Sequence, residues 1–225
     1  TIKDDGPVEI DSHLMFSAPV PTLVDMSEDA DLVVVGARGL GSPHHILLGS
    51  VSASLIHHAH CPVAVIQQGT SPASRAVDAP VLLGIDGSAP SELATAIAFD
   101  EALLRGTRLV ALHAWADTEP DHGPSLEDTA VGTVANQMLA ARLAGWQERY
   151  PDIDVHRVVV YDRPAQQLLH RSETAQLVVV GRRGRGGFGK TMLGSVSAAL
   201  AHAARTPVIV ARSRGSTPLP ACRDS

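Results

Sequence analysis

The stretch Leu32 to Val65, LVVVGARGLGSPHHILLGSVSASLIHHAHCPVAV, aligns without a gap on Leu177 to Val210, LVVVGRRGRGGFGKTMLGSVSAALAHAARTPVIV. The offset is 145 residues at every position, and it persists upstream, where Pro19, Leu23 and Ser27 match Pro164, Leu168 and Ser172. Agreement of this length identifies two copies of one folding unit. Each copy opens on a valine-rich run, passes through glycines and returns to a second valine-rich run. That is the order strand, loop, helix, strand.

The second copy is long enough to read in full. The sequence predicts strand one over Val81–Ile85, a helix over Ala89–Arg105 capped by Ser88, and strand two over Arg108–Ala114. A second helix is expected from near Leu126 to Arg149, with Leu139, Leu143, Trp146 and Tyr150 on one face. Strand three follows over Val155–Val160, helix three from Pro164, strand four over Leu177–Val180, a helix from near Gly194, and strand five over Pro207–Ala211. Strands alternating with helices predict an α/β fold, a doubly wound five-stranded parallel sheet covered on both faces. The unbroken Val178-Val179-Val180 run suits a strand buried on both sides.

The first copy holds only part of this. Val8, Ile10, Leu14 and Phe16 alternate as strand three, and strands four and five follow, but nothing corresponds to Pro80 through Tyr150. The domains are therefore residues 1–67, a partial copy with strands three to five; 68–79, a linker rich in Ser, Pro and Ala; 80–212, a complete copy; and 213–225, a loose tail. Leu32 to Val35 should present an open sheet edge. We read this as a copy whose beginning lies upstream of Thr1; a half-domain completed by another chain is the alternative.

Composition narrows the function. Hydrophobic residues make up 44% and charged residues 19%, an ordinary globular balance, and with aromatics at 3% the cores must be aliphatic. A net charge of −6 gives no general attraction for nucleic acid or for an anionic membrane. The sequence has no apolar run long enough to span a bilayer and no signal peptide, and its two cysteines suit a reducing cytoplasm.

The second copy carries Gly181, two residues, Gly184, nine residues, and Gly194-Ser195; the first repeats the spacing with Gly36, Gly39 and Gly49-Ser50. This pattern, G-x2-G-x9-G-S behind a valine-rich strand, resembles the ATP-binding subgroup of the universal stress proteins. The resemblance covers nearly all of residues 80–212 and the later half of the first copy. It implies the strand order 3-2-1-4-5, pairing through strand five as a homodimer or within the chain, ATP with Mg2+ as ligand, and a regulatory role in a stress response through an unnamed protein partner.

Elementary chemistry runs alongside. Glycines at a strand end allow sharp turns and close approach, and a helix opening at Gly194-Ser195-Val196-Ser197 offers amides and a dipole to phosphate, to which the Ser195 and Ser197 hydroxyls can add. Ligands of open parallel sheets lie at the carboxyl ends of the strands flanking the switch point. With the implied order, Asp86 and Gly181 end those strands. The candidate site is thus Gly84, Ile85 and Asp86; Ala114 after strand two; Val180, Gly181 and Gly184; and Gly194 through Ser197. A carboxylate would repel a triphosphate, so Asp86 belongs at the other end of the ligand, and the resemblance places it against adenine, with Ala114 in the base pocket. Arg182, Arg183, Arg185 and Lys190 make the loop cationic, to meet phosphate or solvent. The first copy keeps the phosphate half and lacks an Asp86, so one competent site is expected.

Other patterns compete. Gly184 to Thr191, GRGGFGKT, spells a P-loop, with Lys190 on phosphates and Thr191 on magnesium, which would make the protein an ATPase or phosphotransferase. The first copy has His45 and Ile46 at those positions, so the duplicated feature is the outer glycines and Gly-Ser. Gly184-x-Gly186-x-x-Gly189 also spells a dinucleotide fingerprint, but no acidic residue stands about 20 positions on. His57, His58, His60 and Cys61 suggest a metal, yet the second copy has only His202 in common with them. No nucleophile and base stand at a catalytic spacing, so the reading is a non-catalytic ATP-dependent regulator. A nucleotide-free scaffold pairing through Pro62–Ile66 and Pro207–Ala211 is the remaining alternative.

Overall fold

A computed structural model describes residues 9–39, 48–67, 78–115, 130–161, 163–184 and 193–212. In chain order the first copy supplies α1 (Pro19–Met26), β1 (Val33–Gly36), α2 (Ser50–His58) and β2 (Val63–Ile66). The second supplies β3 (Val81–Gly84), α3 (Ala89–Arg105), β4 (Leu109–Trp115), α4 (Ala130–Arg149), β5 (Val155–Tyr161), α5 (Pro164–Ser172), β6 (Leu177–Gly181), α6 (Ser195–Ala203) and β7 (Val208–Ala211).

All seven strands form one sheet in the order β1-β2-β7-β6-β3-β4-β5. Within the second copy this is the expected order 3-2-1-4-5, every pair parallel. The copies meet through their fifth strands: β2 runs antiparallel to β7, with Val63 opposite Val210, Ala64 opposite Ile209 and Val65 opposite Val208. The strand-five edge is thus filled within the chain, so the intramolecular form of the expected pairing is the one observed.

Helices cover both faces. On one, α3 and α4 bury Val81, Leu83, Val179 and Ile209 under Ala94, Ala98, Phe99, Leu139 and Leu143. On the other, α1, α2, α5 and α6 cover Leu82, Val178, Val180, Val208 and Val210 with Leu55, Leu168 and Leu200. Helix α3 shows why its sequence folds so. Ser91, Ala94, Thr95, Ala98, Phe99 and Ala102 recur at helical spacing and are buried, Pro90 sits in the first turn, and Gly106 ends the helix at φ 60°. Phe99 packs against Trp146 of α4 and Tyr150 just beyond its end, with centroids 5.8 and 5.3 Å away, so the scarce aromatics clamp the two helices together.

The expected third strand of the first copy does not form. Residues 9–16 have no strand, and Ile10, Leu14 and Phe16 are exposed; Val8 lies outside the described residues. The reason is the topology: strand three pairs only with strand two, and alternation without a ladder partner cannot make a strand. Helix α4 starts at Ala130, and the expected turn from Leu126 falls among residues 116–129, outside the described residues. So do the 213–225 tail and the linker up to residue 77. Among the described residues no helix is long and apolar enough to cross a membrane.

Candidate functional site

The register fixes what meets at the carboxyl end of the sheet. Gly84 lies opposite both Leu112 and Val180 in its neighbouring strands, so Asp86, two residues further, lies level with Ala114, which is still within β4 and paired with Val160 of β5. Asp86 is held by its own turn. The Ser88 amide donates to Asp86 Oδ1 at 2.9 Å, and the Ser88 hydroxyl lies 2.7 Å from the same oxygen. The Gly87 amide, at φ 75°, donates to Ser91 Oγ at 3.0 Å. Oδ2 of Asp86 is directed at Gly184, where any Cβ would run into the carboxylate. Gly184 is therefore a glycine because of Asp86. Its equivalent Gly39 has nothing within 4 Å of a built Cβ among the described residues.

The loop and helix start expected to meet phosphate are constructed alike in both copies. Gly194 N donates to Arg182 O at 2.9 Å, and Gly49 N to Ala37 O at 2.7 Å. Ser197 Oγ lies 2.9 Å from Arg182 O, and Ser52 Oγ 3.1 Å from Ala37 O. The first intrahelical bond of α6 runs from Ala198 N to Gly194 O, which leaves the amides of Ser195, Val196 and Ser197 at the open end of the helix. Ser195 is exposed there.

Several expectations need correction. Ser197 is buried and its hydroxyl is used to brace the loop against α6, so the hydroxyl is not presented at the surface as expected. Gly84 and Gly181 are closely packed by neighbouring side chains and backbone. A Cβ on Gly84 would meet Val180 Cγ1 at 2.9 Å, and one on Gly181 would meet the Pro90 backbone at 2.8 Å, where α3 begins. Ile85 and Val180 are buried, and the Ile85 carbonyl accepts a bond from His113 Nδ1 at 2.8 Å. Arg182 turns away from the loop altogether. It is buried, and its Nη2 donates at 3.0 Å to His57 O, the carbonyl that also accepts from Arg212 Nη1 at 2.6 Å. Burial, then the neighbouring guanidiniums of Arg212 and Arg183, lowers the Arg182 pKa to about 10. Arg185, Lys190 and Thr191 lie outside the described residues.

Three residues of this region were missed by sequence reading. His113 is a buried imidazole beneath the Asp86 turn, and Arg142 of α4 packs onto Gly87. Ser88 was read only as a helix cap; it stands at the N-cap of α3, but its hydroxyl caps no helix amide and holds the carboxylate instead. A histidine inside an apolar strand was the visible signal for the first; the others depend on tertiary contact. Two cavities, of about 380 and 340 Å³, lie away from this crevice. Among the described residues no three metal-ligating side chains converge; Cys61 is fully buried and His60 faces Glu28 at 3.6 Å. Helix α6 begins at Ser195, several residues beyond Lys190 and Thr191, whereas a P-loop lysine and threonine open their helix.

The chain as a whole resembles known proteins. The sequence profile of the universal stress protein family matches residues 3–67 and 79–212. The universal stress protein Rv2623 of Mycobacterium tuberculosis is 56% identical over 207 residues, which are 92% of this chain and 70% of the relative. Rv2005c of the same organism is likewise 56% identical, over 208 residues covering 92% of this chain and 70% of that protein. A universal stress protein crystal structure from Archaeoglobus fulgidus superimposes with a TM-score of 0.65 at 25% identity, across 88% of this chain and 67% of that one. With its duplicated motif, its strand order and these likenesses, the chain belongs to the universal stress protein family.

Proposed function

We propose that the second copy binds ATP, with Mg2+, across the carboxyl ends of β3 and β6, and that the protein is a cytoplasmic regulator rather than a dedicated catalyst. The observation that carries this reading is the meeting of Asp86 and Gly184. One strand end supplies a fixed carboxylate acceptor, the other a backbone with no side chain, and the open amides of α6 stand beyond them. The carboxylate suits the exocyclic amine of adenine, with Ala114 beside the base. The amides of Ser195, Val196 and Ser197 suit the phosphates at the far end. Asp86 already receives Ser88 on one oxygen, so Mg2+ would ride on the triphosphate rather than in a protein cage. Nucleotide held across β3 and β6 would change the surface offered to a regulatory protein partner.

Calorimetric titration of the full chain with ATP and Mg2+ tests this. One site per chain is expected, with Asp86→Ala weakening binding by about tenfold or more, the loss expected for a hydrogen bond to a charged group. No heat from the wild type would sink the reading, and unchanged affinity in Asp86→Ala would remove Asp86 from base recognition.

A further inference from the structure

We propose that the first copy is the mount that sets helix α6 of the second for phosphate, with Arg182 and Gln67 as the positioning residues. The inference rests on the nucleotide reading above and adds how that site is held. Arg182 serves both copies at once. Its main chain belongs to the loop: the amide donates to Ala211 O at 2.9 Å, and the carbonyl accepts from Gly194 N and Ser197 Oγ, each at 2.9 Å. That carbonyl braces the start of α6. The side chain leaves in the other direction, to His57 O in the last turn of α2. Carbonyls at a helix end run out of intrahelical donors and lie at the negative end of the dipole, which suits a guanidinium.

The far end of α6 is held from the first copy too. Gln67 follows β2 as Arg212 follows β7, at the same offset of 145 residues. Arg212 Nη1 donates to His57 O of α2, and Gln67 Nε2 donates at 3.2 Å to Ala201 O of α6. Each fifth strand is thus followed by a side chain that bonds the last turn of the other copy's helix. The tie at the helix start is not reciprocal. Ala37 stands at the position of Arg182, and its carbonyl takes the same two bonds, from Gly49 N and Ser52 Oγ. Its methyl group has no donor to send across the junction. At this position the loop that meets Asp86 is pinned to the neighbouring copy, and its equivalent is not. The plain alternative is a set of bonds that only hold the copies together. Arg212 separates the two, because it shares the His57 carbonyl but not the brace on α6.

ATP and adenosine are titrated by calorimetry into the full chain and into Arg182→Met, Arg182→Lys, Gln67→Met and Arg212→Met. Exchange of the Gly194 amide is followed by 15N NMR without nucleotide. Arg182→Met keeps the apolar stem and leaves His57 O its Arg212 donor, so no carbonyl is orphaned. It should weaken ATP about tenfold and leave adenosine, held at the Asp86 end, within about twofold. Arg182→Lys, which keeps a charged donor, should recover most of the loss. Gln67→Met, which removes a neutral donor, should weaken ATP about threefold. The Gly194 amide should exchange about tenfold faster in Arg182→Met, while that of Gly49, bonded to Ala37 O, keeps its rate. The proposal is overturned if Arg182→Met binds ATP as the wild type does, or if adenosine weakens as much as ATP. It is also overturned if Arg212→Met loses as much ATP affinity as Arg182→Met, or if Gly194 keeps its exchange rate. A wild type that takes no ATP sinks the nucleotide reading and this one with it; binding unaffected in the variants sinks this one alone.

Discussion

The same five residues, Leu-Val-Val-Val-Gly, form β6 with Leu177–Gly181 and lead into β1 as Leu32–Gly36, yet they finish in different surroundings. In β6 every residue before the glycine is buried, because β3 and β7 pair with it on either side and helices cover both faces. In β1 burial alternates: Val33 and Val35 face α1 and α2, while Val34 is 59% exposed, although its equivalent Val179 is fully buried against α3. Local sequence decides that the segment is a strand. Whether it is a core strand or an edge depends on what the rest of the chain brings beside it.

The largest test of that contrast is a charge at each valine. Val179→Asp should cost more than about 4 kcal/mol, enough to prevent folding, because a carboxylate would sit unpaired in a dry core. Val34→Asp should cost less than about 1 kcal/mol at its exposed position. Urea denaturation followed by circular dichroism measures both. Equal losses would mean that Val34 is covered in solution, and would turn the β1 edge from a free surface into an interface.

A smaller difference is expected at the paired glycines. Gly184→Val should push on the Asp86 carboxylate and reduce ATP affinity by about a hundredfold, equivalent to roughly 2.7 kcal/mol. Gly39→Val, which has open space around it, should leave affinity within about twofold, an energy difference under about 0.5 kcal/mol. A matching loss in Gly39→Val would show that the first copy takes part in nucleotide binding.

The smallest effect should not differ between the copies at all. Ser197→Ala and Ser52→Ala each remove one hydroxyl that braces a loop carbonyl, and each should cost about 1 kcal/mol. Unequal costs by thermal denaturation would show that the two phosphate halves are built alike but loaded differently.

Much of this was legible beforehand because it is local or repeated. The start of helix α3 was placed by Ser88 and Pro90, residues whose backbone preferences act within a few positions, while Gly106, which ends the helix, went unread. The pairing of strands five was expected from the family resemblance, and the structure makes it within the chain. The misreadings share another cause. Alternation across Ile10, Leu14 and Phe16 carries the period of a strand but names no partner, and none among the described residues stands beside it. Arg182 sits in a basic loop by sequence, yet its side chain follows the carbonyl of His57 across the junction of the copies. The glycines looked interchangeable, and only contact sorted Gly181, pressed by α3, from Gly184, pressed by Asp86.

The sequence by itself determined the repeat, the order of strands and helices, and the residue types gathered at the strand ends, because periodicity, capping and turn chemistry are read over short distances. The tertiary structure alone decided which valines are core, which glycines make room for packing and which for a carboxylate, and where Arg182 spends its charge. Those outcomes depend on what lies across the sheet from each residue, and that neighbour can be over a hundred positions away, as His57 is from Arg182.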